Sequence, residues 1–212
     1  MDILKQIAEN LRQGNDKKVL ELTKQAIKQK IPSKEILDNG LIAGMNVIGE
    51  KFKAHEIFLP DVLLAARAMY AGMDELKPIL IKERVPTIGK VVIGTVQGDL
   101  HDIGKNLVGI MLKGAGFEVI DLGNDVSPER FIEVAKKENA RVIGMSALLT
   151  TTMLGMKKVI DLLNKQSLSG EIKTIIGGAP VSEEFAREIG ADAYGYDSTS
   201  AVECVKKLIK IS

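Results

Sequence analysis

The sequence predicts an α/β protein: an N-terminal four-helix bundle, then a doubly wound, flavodoxin-like (Rossmann-type) sheet of five parallel strands. Two observations predict this fold. Apolar residues recur at helical spacing through the first 84 residues. From Lys90 onward, short β-branched segments alternate with helical patterns. These segments are apolar on both faces, as strands are when helices cover both sides of a parallel sheet.

Turn and capping residues separate the four helices of the predicted bundle. Gly14-Asn15-Asp16 ends one helix and caps the next, and Pro32-Ser33 begins a third. The fourth begins near Pro60. The third helix carries an apolar stripe of Leu37, Leu41, Met45, Ile48 and Phe52. The stripe of the fourth is Leu59, Val62, Leu63, Ala66, Met69 and Met73.

Five strands alternate with five helices in the second part of the chain. The strands are predicted at Lys90 to Val96, Phe117 to Leu122, Arg141 to Met145, Lys173 to Ile176 and, more weakly, Ala191 to Tyr194. Helices start at Gly104, Pro128, about Thr151 and Ser182, and a last one ends near Ile211. We expect a helical domain at 1–84, a linker at 85–89 and an α/β domain at 90–212. Ligands of such sheets bind beyond the carboxyl ends of the strands, so the loops there are the place to look for function.

Composition excludes several classes of function. Of the 212 residues, 45% are apolar and 27% charged, and the net charge is +1. This balance gives no electrostatic reason to expect nucleic acid or a membrane as partner. The single cysteine, Cys204, excludes an internal disulfide and a multi-cysteine metal site. No targeting pattern opens the chain, and no apolar run approaches the roughly 20 residues of a membrane span, so we expect a soluble cytoplasmic protein.

The loop after the first strand has three interpretations. It reads Gln97-Gly98-Asp99-Leu100-His101-Asp102-Ile103-Gly104. In the simplest, the glycines turn the chain, Asp99 caps the next helix and His101 is exposed. Phosphate binding is disfavoured, because two carboxylates would repel an anion and no Lys-Ser/Thr pair follows. In the third, His101 ligates a metal such as cobalt and Asp99 orients its second nitrogen. The loop alone favours the first interpretation.

Two further loops change this balance. Asp99-x-His101-x-x-Gly104 is followed by Ser146-x-Leu148 after the third strand and by Gly177-Gly178 after the fourth. The three elements together resemble the corrinoid-binding signature of methionine synthase and its relatives. The resemblance covers almost the whole chain and implies a corrinoid, cobalamin or another cobamide, bound base-off. Its cobalt would alternate between cobalt(I) and methyl-cobalt(III).

The resemblance implies a role for each matching residue. His101 would be the lower axial ligand of the cobalt, Asp99 its hydrogen-bond partner and Ser146 a contact of the nucleotide tail. These three would form the catalytic set. Thr150 and Thr152 fall where the family makes further tail contacts, and the match at Thr152 is looser, because the family uses a serine to extend the His-Asp relay. Other implied cofactor contacts are Gly98, Leu100, Asp102, Gly104, Leu148, Gly177, Gly178, Asp197 and Ser198.

The helical part resembles the cap over the upper cobalt face in the methyltransferase branch of this family. Gly49-Glu50-Lys51-Phe52 and Phe58-Leu59-Pro60-Asp61-Val62 carry this resemblance. Phe52, Leu59 and Val62 would shield the methyl group, and Met45 is placed in the same cofactor-binding set. Read without the family, these side chains are ordinary bundle core.

The implied function is a methyl carrier that is not catalytic alone. A donor-specific methyltransferase would load it, an acceptor methyltransferase would pass the methyl to tetrahydrofolate or a thiol, and a reductive activase is a further partner. The 85–89 linker would be the hinge that opens the cap. Three alternatives remain: the corrinoid subunit of a mutase, a corrinoid-sensing regulator, and a flavodoxin-like protein without corrinoid.

Overall fold

The computed structural model describes residues 2–83 and 85–209. The chain divides into two compact units, one of residues up to Thr87 together with Gly114–Gly116, the other of Ile88–Lys113 and the chain from Phe117 onward. The predicted domain limits at residues 1, 84 and 212 and the predicted helix end at Ile211 lie outside the described residues, and the hinge stays a prediction. No helix among the described residues is long and apolar enough to cross a membrane.

The first unit is helical, as the sequence predicts. Its turn at Gly14 has a φ of +68°, and the Asn15 side chain accepts from the Lys18 N–H at 3.2 Å to cap the second helix. Its elements are α1 (Ile3–Arg12), α2 (Asp16–Lys28), α3 (Ser33–Glu35), a π-helical segment (Ile36–Ile42), α4 (Ala43–Lys53) and α5 (Leu59–Lys82).

The π-helical segment shifts the apolar stripe predicted for the third helix. Hydrogen bonds in such a segment span five residues rather than four, so the buried face moves by one position. Ile36 is therefore buried in place of Leu37, which is only half-buried, whereas Leu41, Met45 and Ile48 are buried as the stripe predicts. The α5 stripe is wrong at Leu63, whose surface is 46% exposed.

The second unit contains a five-stranded parallel sheet of order β2-β1-β3-β4-β5. This order confirms the predicted flavodoxin-like topology. The strand order reverses between β1 and β3, which are hydrogen-bonded neighbours. The strands are β1 (Lys90–Thr95), β2 (Glu118–Asp121), β3 (Val142–Ser146), β4 (Lys173–Gly177) and β5 (Ala193–Gly195).

Helices flank this sheet and supply its core. Ser127 caps the helix that starts at Pro128, and Ser182, where the sequence predicts that a helix starts, caps the one that starts at Glu183. Phe131 is fully buried against the sheet and lies where a Cβ on Gly94 would stand, so this strand position accepts only glycine without rearrangement. The helices are α6 (Ile103–Gly114), α7 (Pro128–Glu138), α8 (Leu154–Lys165), α9 (Glu183–Ile189) and α10 (Ser198–Leu208).

Candidate functional site

The predicted site residues meet at the carboxyl edge of the sheet. In the strand register Thr95 pairs with Ser146, and Ser146 pairs with Gly177. These three paired residues are the last residues of β1, β3 and β4, so the loops that follow the three strands start side by side. The crevice between β1 and β3 is the switch point of the topology, where ligands of doubly wound sheets bind.

Asp99 lies at the centre of this edge and joins two of the loops. Its carboxylate is fully buried and accepts five hydrogen bonds. Oδ1 accepts from the backbone N–H of His101 at 3.0 Å and from its Nδ1 at 2.8 Å. Oδ2 accepts from Leu148 N at 2.8 Å, Leu149 N at 3.3 Å and Thr152 Oγ1 at 2.6 Å. One carboxylate therefore fixes the His101 side chain and the loop after β3 together.

The contact with Asp99 determines which nitrogen of His101 is free. A buried carboxylate with donors on all sides acts only as an acceptor, so Nδ1 carries the proton and donates to it. In the neutral ring Nε2 then keeps its lone pair. The His101 side chain is 52% exposed, so the ring extends from the loop with its free nitrogen accessible. This is the tautomer that a metal-ligating histidine needs.

The surroundings of Asp99 keep it ionised. Burial raises the pKa of this carboxyl, but the hydrogen bonds from Thr152, His101 and Leu148 together lower it well below its usual range. Because the folded-state pKa is depressed, the carboxylate stabilises the fold above its unfolded pKa of about 4, and this contribution is lost as the pH falls below that value.

We expect the stability difference between the wild-type protein and an Asp99→Asn variant to depend on pH. It should be largest at neutral pH and shrink as the pH falls below about 4, because only the wild type loses a charged, hydrogen-bonded group. Urea unfolding of both proteins at several pH values between 7 and 3 measures it. A difference that stays constant across this range would contradict the depressed pKa.

The loop after β1 (residues 97–104) is called the histidine loop below. The loop after β2, to which the sequence prediction gave no role, holds the histidine loop by hydrogen bonds. Asp125 has a φ of +52°; its Oδ1 accepts from the Gly98 N–H at 2.7 Å, and its own N–H donates to the Asp99 carbonyl at 3.0 Å. Asn124 donates from its side chain to the Leu100 carbonyl at 3.3 Å. Polar residues just after a strand of a parallel sheet are the signal that identifies this loop in the sequence.

A buried lysine ties this supporting loop to α6. Lys105, directly after the histidine loop, is 5% exposed, and its Nζ lies 2.6 Å from both carboxylate oxygens of Asp121 at the end of β2. Asp121 Oδ1 also accepts from the Gly123 N–H at 2.9 Å. Helical periodicity places a lysine here without indicating that it is buried, so sequence reasoning missed this pair.

The glycines of the site differ in whether the chain has room for a side chain at their positions. A Cβ on Gly178, whose φ is +129°, would stand 1.9 Å from the Ala147 carbonyl oxygen, and one on Gly177 would stand 2.8 Å from the Gly195 oxygen. The chain itself thus requires both residues, in addition to any ligand contact. Gly104 is the opposite case: it lies inside α6 rather than in a turn, and a Cβ there would meet nothing within 4 Å.

The remaining predicted contacts surround this centre. Asp197 caps α10, since its Oδ1 accepts from the Ser200 N–H at 2.6 Å, so its carboxylate has a structural partner. The Ser198 hydroxyl is buried and makes no hydrogen bond among the described residues. On the loops after β1 and β3, one predicted contact is half-buried and three are exposed. The half-buried residue is Asp102, and the exposed ones are Leu100, Leu148 and Thr150.

The four predicted cap residues lie on two helices of the first unit. Met45 and Phe52 are on α4, and Leu59 and Val62 are on α5. Met45 and Val62 are buried, whereas Phe52 and Leu59 are half-buried. Their predicted role over the cobalt stays a prediction.

Comparison with known proteins identifies the family. A family described as a B12 binding domain matches residues 89–205, and a second one with the same description matches residues 3–77. A dimethylamine corrinoid protein of Methanosarcina barkeri is 44% identical over 209 residues, which cover 98% of each chain. The chain belongs to the family of B12-binding corrinoid proteins. The predicted family and its corrinoid cofactor are thereby confirmed.

Two solved structures match almost the full length of this chain. A cobalamin-binding protein of Desulfitobacterium hafniense DCB-2 matches with a TM-score of 0.78 at 32% identity, covering 98% of each chain. The methanol:cobalamin methyltransferase complex of Methanosarcina barkeri contains a chain that matches with a TM-score of 0.88 at 31% identity. That match covers 99% of this chain and 80% of the other.

The residues of this corrinoid protein fit the cofactor. An imidazole with Nδ1 protonated and half of its side chain exposed would be able to offer Nε2 to a cobalt ion. Several large apolar side chains are exposed in or directly beside the loops after β1 and β3. Such an apolar surface suits the broad apolar parts of a corrin ring. These side chains are Leu100, Ile103, Leu148, Leu149 and Leu154. The unpaired Ser198 hydroxyl has hydrogen-bonding capacity left for a ligand.

Proposed function

We propose that this corrinoid protein carries a methyl group from a donor-specific methyltransferase to an acceptor methyltransferase, with His101 as the lower ligand of the cobalt. The observation that carries the proposal is the buried Asp99 carboxylate, which holds the His101 ring by Nδ1 and leaves Nε2 accessible. Membership of the corrinoid family and the match to a chain of a methyltransferase complex support it.

When bound, the corrinoid supplies a cobalt ion that accepts a methyl group and gives it up. The chain supplies a ligand that binds and releases. A histidine that donates to a carboxylate is a more basic ligand, so Asp99 strengthens the bond from Nε2. The hydrogen bond from Nδ1 to Asp99 does not involve Nε2, so it would hold the ring in the same place when Nε2 is not bound to the cobalt.

The other proposed contacts serve the ring and the tail of the corrinoid. Ser146, at the strand end, would bind the nucleotide tail, while Gly98, Leu100, Asp102 and Gly104 would lie beside the ring. Further proposed tail contacts are Leu148, Thr150, Gly177, Gly178, Asp197 and Ser198. Thr152 is proposed to act through Asp99, because its hydroxyl donates to that carboxylate at 2.6 Å. Met45, Phe52, Leu59 and Val62 are proposed to keep water from the methyl group.

The proposed partners follow from the carrier role. The structurally similar chain in the methanol:cobalamin methyltransferase complex supports a methyltransferase as the partner that loads this chain. We propose a second methyltransferase that delivers the methyl to tetrahydrofolate or a thiol, and a reductive activase that restores cobalt(I) after oxidation.

Loading with a corrinoid under anaerobic conditions tests the ligand and the carrier role. We expect about one cobalt per chain and the absorbance of a histidine-ligated, base-off corrinoid; after reduction, labelled methyl iodide should leave about one methyl per cobalt. His101→Ala should lose the histidine-ligated spectrum. The matched control is His55→Asn, since His55 is the only other histidine and asparagine tolerates its φ of +58°. A folded wild-type protein that retains no corrinoid, or a His101→Ala variant with an unchanged spectrum, would contradict the proposal.

Replacing Gly104 by alanine separates stability from binding. The free energy of unfolding should stay the same or rise by up to about 1 kcal/mol, because alanine favours a helix and its Cβ meets no atom of the chain. The corrinoid dissociation constant should rise about tenfold, because the added methyl group occupies space beside the proposed ring site. Gly170→Ala, where a Cβ also meets nothing within 4 Å, is the control and should leave binding unchanged. Unchanged binding in Gly104→Ala would place the ring elsewhere.

A further inference from the structure

Thr95 occupies a buried position between two of the proposed cofactor contacts. It is the last residue of β1 and has no exposed surface. Its Oγ1 lies 2.9 Å from the carbonyl oxygen of His101 and 3.1 Å from the hydroxyl oxygen of Ser146. One side chain thus connects the backbone of the histidine loop to the end of β3.

The chemistry of the three groups fixes the direction of both hydrogen bonds. A carbonyl oxygen only accepts, and a threonine hydroxyl has a single proton. Thr95 therefore donates to the His101 carbonyl, and the Ser146 hydroxyl must donate to Thr95. The single proton of Ser146 is thus already engaged, so a ligand that accepts a hydrogen bond from Ser146 must compete with Thr95 for it.

The two bonds also depend on each other. A hydroxyl that accepts a hydrogen bond becomes a stronger donor, so the bond from Ser146 strengthens the one from Thr95 to His101. A ligand group that takes the proton of Ser146 for itself removes the first bond and weakens the second. The backbone that carries His101 is then held less firmly.

We propose that Thr95 is a positioning residue that couples nucleotide-tail binding at Ser146 to cobalt ligation by His101. This inference rests on the proposed function. The tail group involved is a hydrogen-bond acceptor, such as an unprotonated ring nitrogen. When it engages Ser146, the link through Thr95 loosens the histidine loop and eases release of His101. Binding at one end of the cofactor is thus linked to the ligand at the other.

A thermodynamic cycle with two corrinoids tests the coupling. Cobalamin carries the nucleotide tail and cobinamide lacks it. The readout is the ratio of histidine-ligated to unligated corrinoid at one fixed pH, followed by absorbance in wild type and Thr95→Val loaded with each corrinoid. Weaker ligation lowers this ratio.

We expect Thr95→Val to weaken ligation about three- to tenfold with cobinamide and distinctly less with cobalamin, where the tail has already loosened the link. Intrinsic differences between the two corrinoids cancel in this comparison. Thr95→Ser retains the hydroxyl and should behave as the wild type. If Thr95→Val does not fold, Ser146→Ala removes the same link and should give the same inequality between the two corrinoids.

The outcomes separate this inference from the proposed function. Equal losses of histidine ligation with both corrinoids in Thr95→Val and in Ser146→Ala would overturn the coupling while corrinoid carriage stands. A wild-type protein that binds neither corrinoid would overturn the proposed function itself. A Thr95→Ser variant that behaves as Thr95→Val would also overturn the coupling, because the hydroxyl would then not be the group that matters.

Discussion

Asp99→Asn is expected to lower the free energy of unfolding by about 3 kcal/mol at neutral pH. The carboxylate accepts at both oxygens, from His101 at one and from Leu148, Leu149 and Thr152 at the other. In either orientation the amide places its NH₂ group against at least two donors, so buried N–H groups lose their acceptor. Replacement by an isosteric side chain thus removes bonds without creating a cavity.

Urea unfolding of the corrinoid-free protein measures this effect. Asp102→Asn is the matched control, because it makes the same chemical change three positions along the chain at a half-buried site, and we expect it to cost less than about 1 kcal/mol. Equal stabilities of the two variants would show that the five bonds to Asp99 do not hold the loops together.

Gly178→Ala is expected to cost about 4 kcal/mol or more, or to prevent accumulation of folded protein. The new Cβ would stand 1.9 Å from the Ala147 carbonyl oxygen, and the φ of +129° is itself unfavourable for alanine. The clash is with backbone, so it is relieved only by moving the β3 end that leads into Leu148 and Leu149. Those two residues hold Asp99, so the strain would reach the histidine loop.

The control for this prediction is Gly170→Ala, which adds the same methyl group where nothing lies within 4 Å. Its unfolding free energy should stay within about 1 kcal/mol of the wild type. A Gly178→Ala protein that is as stable as Gly170→Ala would mean that the close approach of β4 to the β3 loop is wrong.

The fold was predictable because local patterns and topology agree. Strands that are apolar on both faces and alternate with capped helices have few arrangements, and the order of the five strands is one of them. The cap at Asn15 could be assigned because its hydrogen bond is local. The π-helical segment was not predictable: its sequence retains helical spacing, and only packing selects the wider turn that buries Ile36 in place of Leu37.

The site residues that belong to a local sequence motif were predictable. Those that depend on contacts between distant parts of the chain were not. His101 and Asp99 are two positions apart, so their contact follows from one loop. Thr95 and Ser146 are 51 residues apart, and only the register of β1 against β3 brings them together. The same holds for Asp125 beside Gly98, which depends on how the β2 loop folds back. The sequence marks such residues as polar groups at strand ends and does not indicate their partners.

Electron paramagnetic resonance of the cobalt(II) form, loaded into protein labelled with ¹⁵N-histidine, tests the ligand most directly. The unpaired electron lies along the axis of the lower ligand, so the nucleus of that ligand splits the signal. If His101 is the ligand, the three-line nitrogen splitting seen with unlabelled protein becomes a two-line splitting in the labelled protein, and His101→Ala loses the change. A three-line splitting that persists in labelled wild-type protein would show that the base of the cofactor, and not the histidine, binds the cobalt, and would contradict the account.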